Sequence, residues 1–232
     1  MKNKKIESYV RNKNKKLFEY NFGRFQVFIR DPLPEEIDVP SVFEDIKLSL
    51  PDHFIRLVDV VYVGNFDFFK DRAINAMYAD GALYISNLQD NNEDMKDDIV
   101  HEISHAVEER YKVIIYEDDN IKDEYFGKLK KLKNYLSFDG YDIRGINFFN
   151  EEYNKEFDNF LLNVIGYEKL SGYIDGLFLA PYSITSLGEY FAKGFEDYFL
   201  KDKSYLSSVC PYLFKKINFL NNSGIQEIEN EY

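Results

Sequence analysis

Apolar residues recur at helical spacing through Met95, Ile99, Ile103 and Ala106, and no Pro or Gly interrupts the run up to Tyr111. This pattern predicts a helix buried along one side. Asn91, Asn92, Glu93 and Asp94 precede it, and their capping oxygens and negative charge suit the positive end of a helix. Upstream, Phe25, Val27 and Ile29 alternate with Arg24, Gln26 and Arg30, the period of a half-buried strand. Asp31-Pro32-Leu33-Pro34 breaks it. A short helix is predicted over 41–50, between Pro40 and Pro51. Residues 55–63 are β-branched and almost continuously apolar, which predicts a strand central in a sheet. A short helix over 66–74 follows. Asp80-Gly81, between the runs 76–79 and 82–86, is a hairpin signal.

Further on, residues 117–136 have helical periodicity with many Lys and Asp, the pattern of a surface helix. A turn-rich stretch over 137–147 and a helix over 151–164, stopped at Gly166, come next. Ser186 is placed to cap a last helix, with Glu189 three residues on closing a capping box. That helix carries Glu189, Ala192, Lys193 and Glu196 on one face, and turns Phe191, Phe195 and Tyr198 towards a core. The expected organisation is a loose Lys- and Asn-rich arm over 1–20, then one α+β domain over 21–232. Residues 112–176 form a helical insertion within it.

Composition narrows the function classes. Of 232 residues, 45% are hydrophobic, enough for a packed core. A net charge of −12 argues against nucleic-acid binding, which needs a basic surface, and suits basic partners or substrates. Cys210 is the lone cysteine, so no internal disulfide forms, and its neighbours Val209 and Pro211 favour a small buried side chain. The N-terminus lacks the apolar stretch of a signal peptide, and no apolar run of about 18 residues is present. The default expectation is a cytoplasmic protein without a membrane span.

The chemistry concentrates on His101-Glu102-Ile103-Ser104-His105. Two of the three histidines lie here, four residues apart, so on a helix both imidazoles reach one metal ion. Glu102 then lies beside the metal's open position, where it can take a proton from an activated water. A third ligand is available downstream in Glu189 or Glu196, which share a face. Two histidines and one glutamate leave the fourth zinc position open. The competing reading is a non-catalytic acidic binding protein, with zinc structural or absent. His53 reads as a surface or sheet-edge residue.

His101-Glu102-x-x-His105-Ala106-Val107-Glu108-Glu109 is followed by Tyr182 and, after six intervening residues, by Glu189-Tyr190-Phe191-Ala192 and Phe195. In these residues the chain resembles the zincins whose third ligand is a downstream glutamate, and within them the anthrax lethal-factor type related to the Pro-Pro endopeptidases. The resemblance implies a zincin-like domain with a small twisted sheet, an active-site helix and a helical C-terminal half. It implies one zinc on His101, His105 and Glu189, Glu102 as general base and Tyr182 as oxyanion stabiliser. The activity it implies is that of a zinc endopeptidase acting on protein or peptide substrates. Lys193 departs from the family pattern, in which a carboxylate or small residue often stands one turn after the third ligand. Asp98, Glu108 and Glu196 are therefore the candidates for orienting the histidines. The strand Leu83-Tyr84-Ile85, just before the histidine helix, is expected either to be an edge that pairs with an extended substrate or to be an ordinary strand.

Overall fold

The structure, a computed structural model, describes residues 18–22, 25–72 and 74–222. Most of the arm expected over 1–20 lies outside them; its last residues, 18–20, are strand.

In chain order the elements are β1 (Phe18–Phe22), β2 (Phe25–Ile29), α1 (Val39–Ser49) and the single turn α2 (Asp52–Ile55). Then come β3 (Val60–Gly64), α3 (Asp67–Arg72), β4 (Ala76–Ala79) and β5 (Ala82–Ser86). The long α4 (Asn92–Tyr116) leads to α5 (Asn120–Phe138) and α6 (Lys155–Asn159), which runs on as π-helix over Phe160–Ile165. The chain closes with α7 (Tyr167–Ile174), α8 (Leu187–Leu200), α9 (Lys203–Val209) and α10 (Pro211–Asn221). This is an α+β chain, mostly helical, with one small mixed sheet. Among the described residues no helix is long and apolar enough to cross a membrane.

Contacts divide the chain into two compact units, one up to Ile46 with Val58–Ile99, the other Lys47–Leu57 with the chain from Val100 onward. The first holds the sheet, in the order β1-β2-β3-β5-β4. β2, β3 and β5 run parallel, while β1 and β4 pair antiparallel at the two edges. The register aligns Val27, Val61 and Leu83, and next to them Ile29, Val63 and Ile85. All six are buried. The opposite face carries the row Phe28, Tyr62 and Tyr84, stacked at 5.5 Å between successive rings. β5 is buried on both faces and β3 nearly so, and both read as continuous apolar runs, whereas β2 keeps Gln26 exposed and alternates.

One sequence expectation changes here, and one choice between alternatives is decided. The strand predicted over 55–63 starts only at Val60, because Pro51 and Asp52 open a helical turn that Arg56 closes by pairing with Asp52. The segment Leu83-Tyr84-Ile85 is not an edge: β5 lies between β3 and β4, and β4 takes the outer position. The hairpin itself forms as predicted, with Asp80 and Gly81 both at positive φ (50° and 80°), the conformation of the tight turn that matches strand twist.

In the second unit, α5 buries Ile121, Tyr125, Leu129, Leu132 and Leu136 along one stripe, and Lys128 lies in the same stripe. Its ammonium donates to Tyr190 Oη (2.6 Å) and Cys210 Sγ (2.9 Å), and sits over the Tyr190 ring. The helix read as a surface element from its lysines thus has a fully buried face. Cys210 is buried as expected, and is also a hydrogen-bond acceptor. The many phenylalanines serve packing: Phe54, Phe148, Phe178, Phe191 and Phe195 are all fully buried. Where α8 meets α10, Gly194 leaves room for Leu213; a Cβ there would overlap the leucine side chain.

Candidate metal centre

Every residue of this site lies in the second unit. α4 is capped by Asn91, whose Oδ1 accepts from Asp94 N at 3.0 Å. Ile99, Ile103 and Ala106 are buried along it, which fixes the helix's rotation. His101 and His105 consequently present adjacent rings, 5.2 Å apart between centroids, with about a quarter of each side chain or less exposed.

The third element is α8. Ser186 caps it, its Oγ accepting from Glu189 N at 3.1 Å. Of the predicted capping box only the Ser186 half forms, and the Glu189 side chain faces the histidines instead. Its Oε2 lies 3.1 Å from His101 Nε2 and its Oε1 3.7 Å from His105 Nε2. Tetrahedral zinc with ligand bonds of about 2.0–2.1 Å separates its ligand atoms by roughly 3.4 Å. The two distances, each to a different oxygen of Glu189, lie on either side of that value. Glu102, 9% exposed, brings its carboxylate into the same cluster, with one ligand atom each from His101, Glu102 and His105 all within 4.8 Å of one another.

The other ring nitrogens face different carboxylates. His101 Nδ1 lies 3.7 Å from Glu196 Oε2, and His105 Nδ1 lies 3.7 Å from Glu108 Oε2. Each histidine therefore has a carboxylate on its Nδ1 side, the side from which such groups orient a metal-ligating imidazole when they hydrogen-bond to it. Of the three candidates for that role, Asp98 accepts from Gln89 Nε2, while Glu108 and Glu196 are the ones that face the Nδ1 atoms. Glu196 sits on the Nδ1 side of His101, away from the point where the two Nε2 atoms meet Glu189.

Four carboxylates around two imidazoles set the electrostatics. Burial alone would lower the His101 pKa, but Glu189 and Glu196, with the charge of Glu102, outweigh it and push it up to about 10. His105 is raised against the same burial, chiefly through Glu108. Burial opposes ionisation of Glu196, yet His101, Lys193 and Lys201 hold it down at about 2. Glu108 is likewise lowered despite burial, by His105 and by the Tyr116 hydroxyl, which donates to its Oε1 at 2.6 Å. The cluster demands positive charge at its centre, which protons or a divalent cation can supply. The donor set, two imidazoles and a carboxylate with a further carboxylate nearby, is one that zinc and other divalent transition metals accept.

Tyr182 lies in a 3-10 turn (Tyr182–Ile184) directly before α8. Ser183 and Thr185 pin this turn by donating to Ala180 O and Tyr182 O, and Tyr125 donates to Ile184 O. Burial, then the charge of Glu189, raises the Tyr182 hydroxyl above its ordinary pKa. It remains 42% exposed. His53 stands outside the cluster, its Nε2 3.1 Å from Leu220 O.

Sequence reasoning missed Tyr116 and Gly188. Tyr116 reaches back to Glu108 because α4 kinks at Tyr111 (φ −113°, ψ 20°), and no Pro or Gly marks that kink. Gly188 lies against Glu108: an added Cβ would stand 3.0 Å from Oε2. The carboxylate thus rests on the first turn of α8, where the helix dipole favours it. Gly188→Ala should displace Glu108 by a few tenths of an ångström and weaken metal binding up to about tenfold, read by competition with a chelator. Unchanged affinity would show that His105 does not depend on this carboxylate's position.

No family model, no curated protein and no solved structure matches this chain. What the fold and site define by themselves is an α+β chain with a candidate three-ligand divalent-metal centre carried on two helices.

Proposed function

We propose that this chain is a zinc-dependent endopeptidase with a zincin-like fold. The observation that carries the reading is the convergence of His101 Nε2 and His105 Nε2 on the Glu189 carboxylate, with a separate carboxylate behind each ring. His101, His105 and Glu189 would hold the ion and leave a position open. Bound there, zinc supplies Lewis acidity, lowering the pKa of water and polarising a carbonyl.

The chain's own residues do the rest. Glu102, one residue from His101 and in the same cluster, takes the proton of the attacking water and later delivers it to the leaving amine. Tyr182 is a hydrogen-bond donor for the oxyanion, its hydroxyl being protonated at neutral pH as an ordinary tyrosine is and the upward shift only reinforcing this. Glu108 and Glu196 orient the imidazoles. The strongly acidic chain, at −12, favours substrates of basic character.

The test is elemental analysis of the purified chain together with a screen of unstructured peptides. One zinc per chain, and cleavage that a chelator abolishes and zinc restores, are the expected results. A chain that takes up no zinc when it is offered would overturn the reading and favour an acidic binding protein.

A further inference from the structure

Lys193 occupies the position one turn after Glu189 at which the sequence departs from its expected pattern, and it is only 16% exposed. Its ammonium pairs with Glu196 Oε1 and, at 3.0 Å, with Asp197 Oδ1. Lys201 closes the arrangement, 3.2 Å from Glu196 Oε1 and 3.1 Å from Asp197 Oδ1. Two lysines and two carboxylates thus form a square on the last turns of α8. Both ammonium groups take the same oxygen of Glu196. The other oxygen, Oε2, is the one that faces His101 Nδ1.

We infer that Lys193 is a positioning residue for the metal centre, gripping Glu196 by Oε1 so that Oε2 is held towards His101. A glutamate has three rotatable side-chain bonds, and unrestrained it samples several rotamers. At 9% exposure the Glu196 carboxylate also needs partners for its charge. Lys193 meets both requirements from within one helical turn, at spacings of three and four residues. Lys201, at 48% exposure, is the weaker half of the clamp because solvent competes for it. The departure at position 193 is thereby accounted for: the orienting carboxylate stands two turns after Glu189, and the residue between them holds it in place.

The inference rests on the metal-centre reading, and its test separates the two. Zinc affinity is measured by competition with a chromophoric chelator on the wild type, Lys193→Met, Glu196→Leu and the double variant. Visible absorption of the cobalt-substituted proteins reports ligand geometry. Lys193→Met should weaken zinc binding about 10–100-fold and alter the cobalt spectrum. In the Glu196→Leu background the same substitution should change nothing further, because no carboxylate remains for the lysine to hold. The double variant removes both charges together and leaves no unpaired buried carboxylate at 196. The comparison with Glu196→Leu therefore stands even if Lys193→Met alone fails to fold. Equal zinc affinity of wild type and Lys193→Met, or an equal loss in both backgrounds, overturns the clamp while leaving the metal centre intact. A wild type that binds no zinc overturns both.

Discussion

Glu102→Gln is expected to lower turnover of a cleavable peptide by about 10²–10⁴-fold while the variant retains one zinc per chain. Glutamine keeps the shape of the side chain, so the packing around a residue that is only 9% exposed is preserved. It cannot accept a proton at neutral pH. The two histidines and Glu189 keep their positions, because Ile99 and Ile103 are fully buried and anchor α4 independently of Glu102. The measurement is kcat/KM beside elemental analysis on the same preparation. Zinc retained with turnover lost assigns Glu102 to proton transfer. Full turnover in the variant would remove it from the mechanism, and loss of zinc would make it a ligand.

The second large effect is on the metal itself. Glu189→Ala should weaken zinc by more than about a hundredfold, beyond the 10–100-fold expected of a residue that only orients a ligand. Glu189 faces Nε2 of both histidines at 3.1 and 3.7 Å, whereas Glu196 faces Nδ1 of His101. Glu196→Ala should therefore cost less than Glu189→Ala. The fold should survive the change at 189, since the cap of α8 uses the Glu189 backbone N–H and not its carboxylate. Chelator competition on both variants, with thermal melts as the control for folding, decides the order. If Glu196→Ala proves the more damaging, the ligand is Glu196 and the ring nitrogens have exchanged roles.

Much of this was legible in the sequence because it depends on local spacing. Two histidines four apart, an apolar stripe at Met95, Ile99, Ile103 and Ala106, a Ser186 cap and an Asp80-Gly81 turn are each determined within a few residues by helix or hairpin geometry. The choice among Asp98, Glu108 and Glu196 was not local. Glu108 is one turn from His105 on the same helix, but Glu196 meets His101 across 95 residues of chain. Only the packing of α8 against α4 puts Nδ1 and Oε2 opposite one another.

The limits of sequence patterning show at three further places. The apolar run over 55–63 looked like one strand, yet Pro51 and Asp52 start a helical turn that takes in its first residue, Ile55, and the strand begins only at Val60. Leu83-Tyr84-Ile85 could be recognised as a strand, but whether it was an edge depended on β3 pairing to its other side, a long-range contact with no local signature. Lys128 counted as a surface lysine until its helix turned it towards Tyr190 and Cys210.

By itself, the sequence determined most of the elements and named the candidate ligands, since both follow from periodicity, capping and residue chemistry over a turn or two. The tertiary structure decided which nitrogen of each histidine meets which carboxylate, why Gly188 and Tyr116 belong to the site, and how Lys193 holds Glu196. The meeting of Glu189 and Glu196 with the histidines, and of Gly188 with Glu108, depends on distances between residues far apart in the chain, which only the packed core sets.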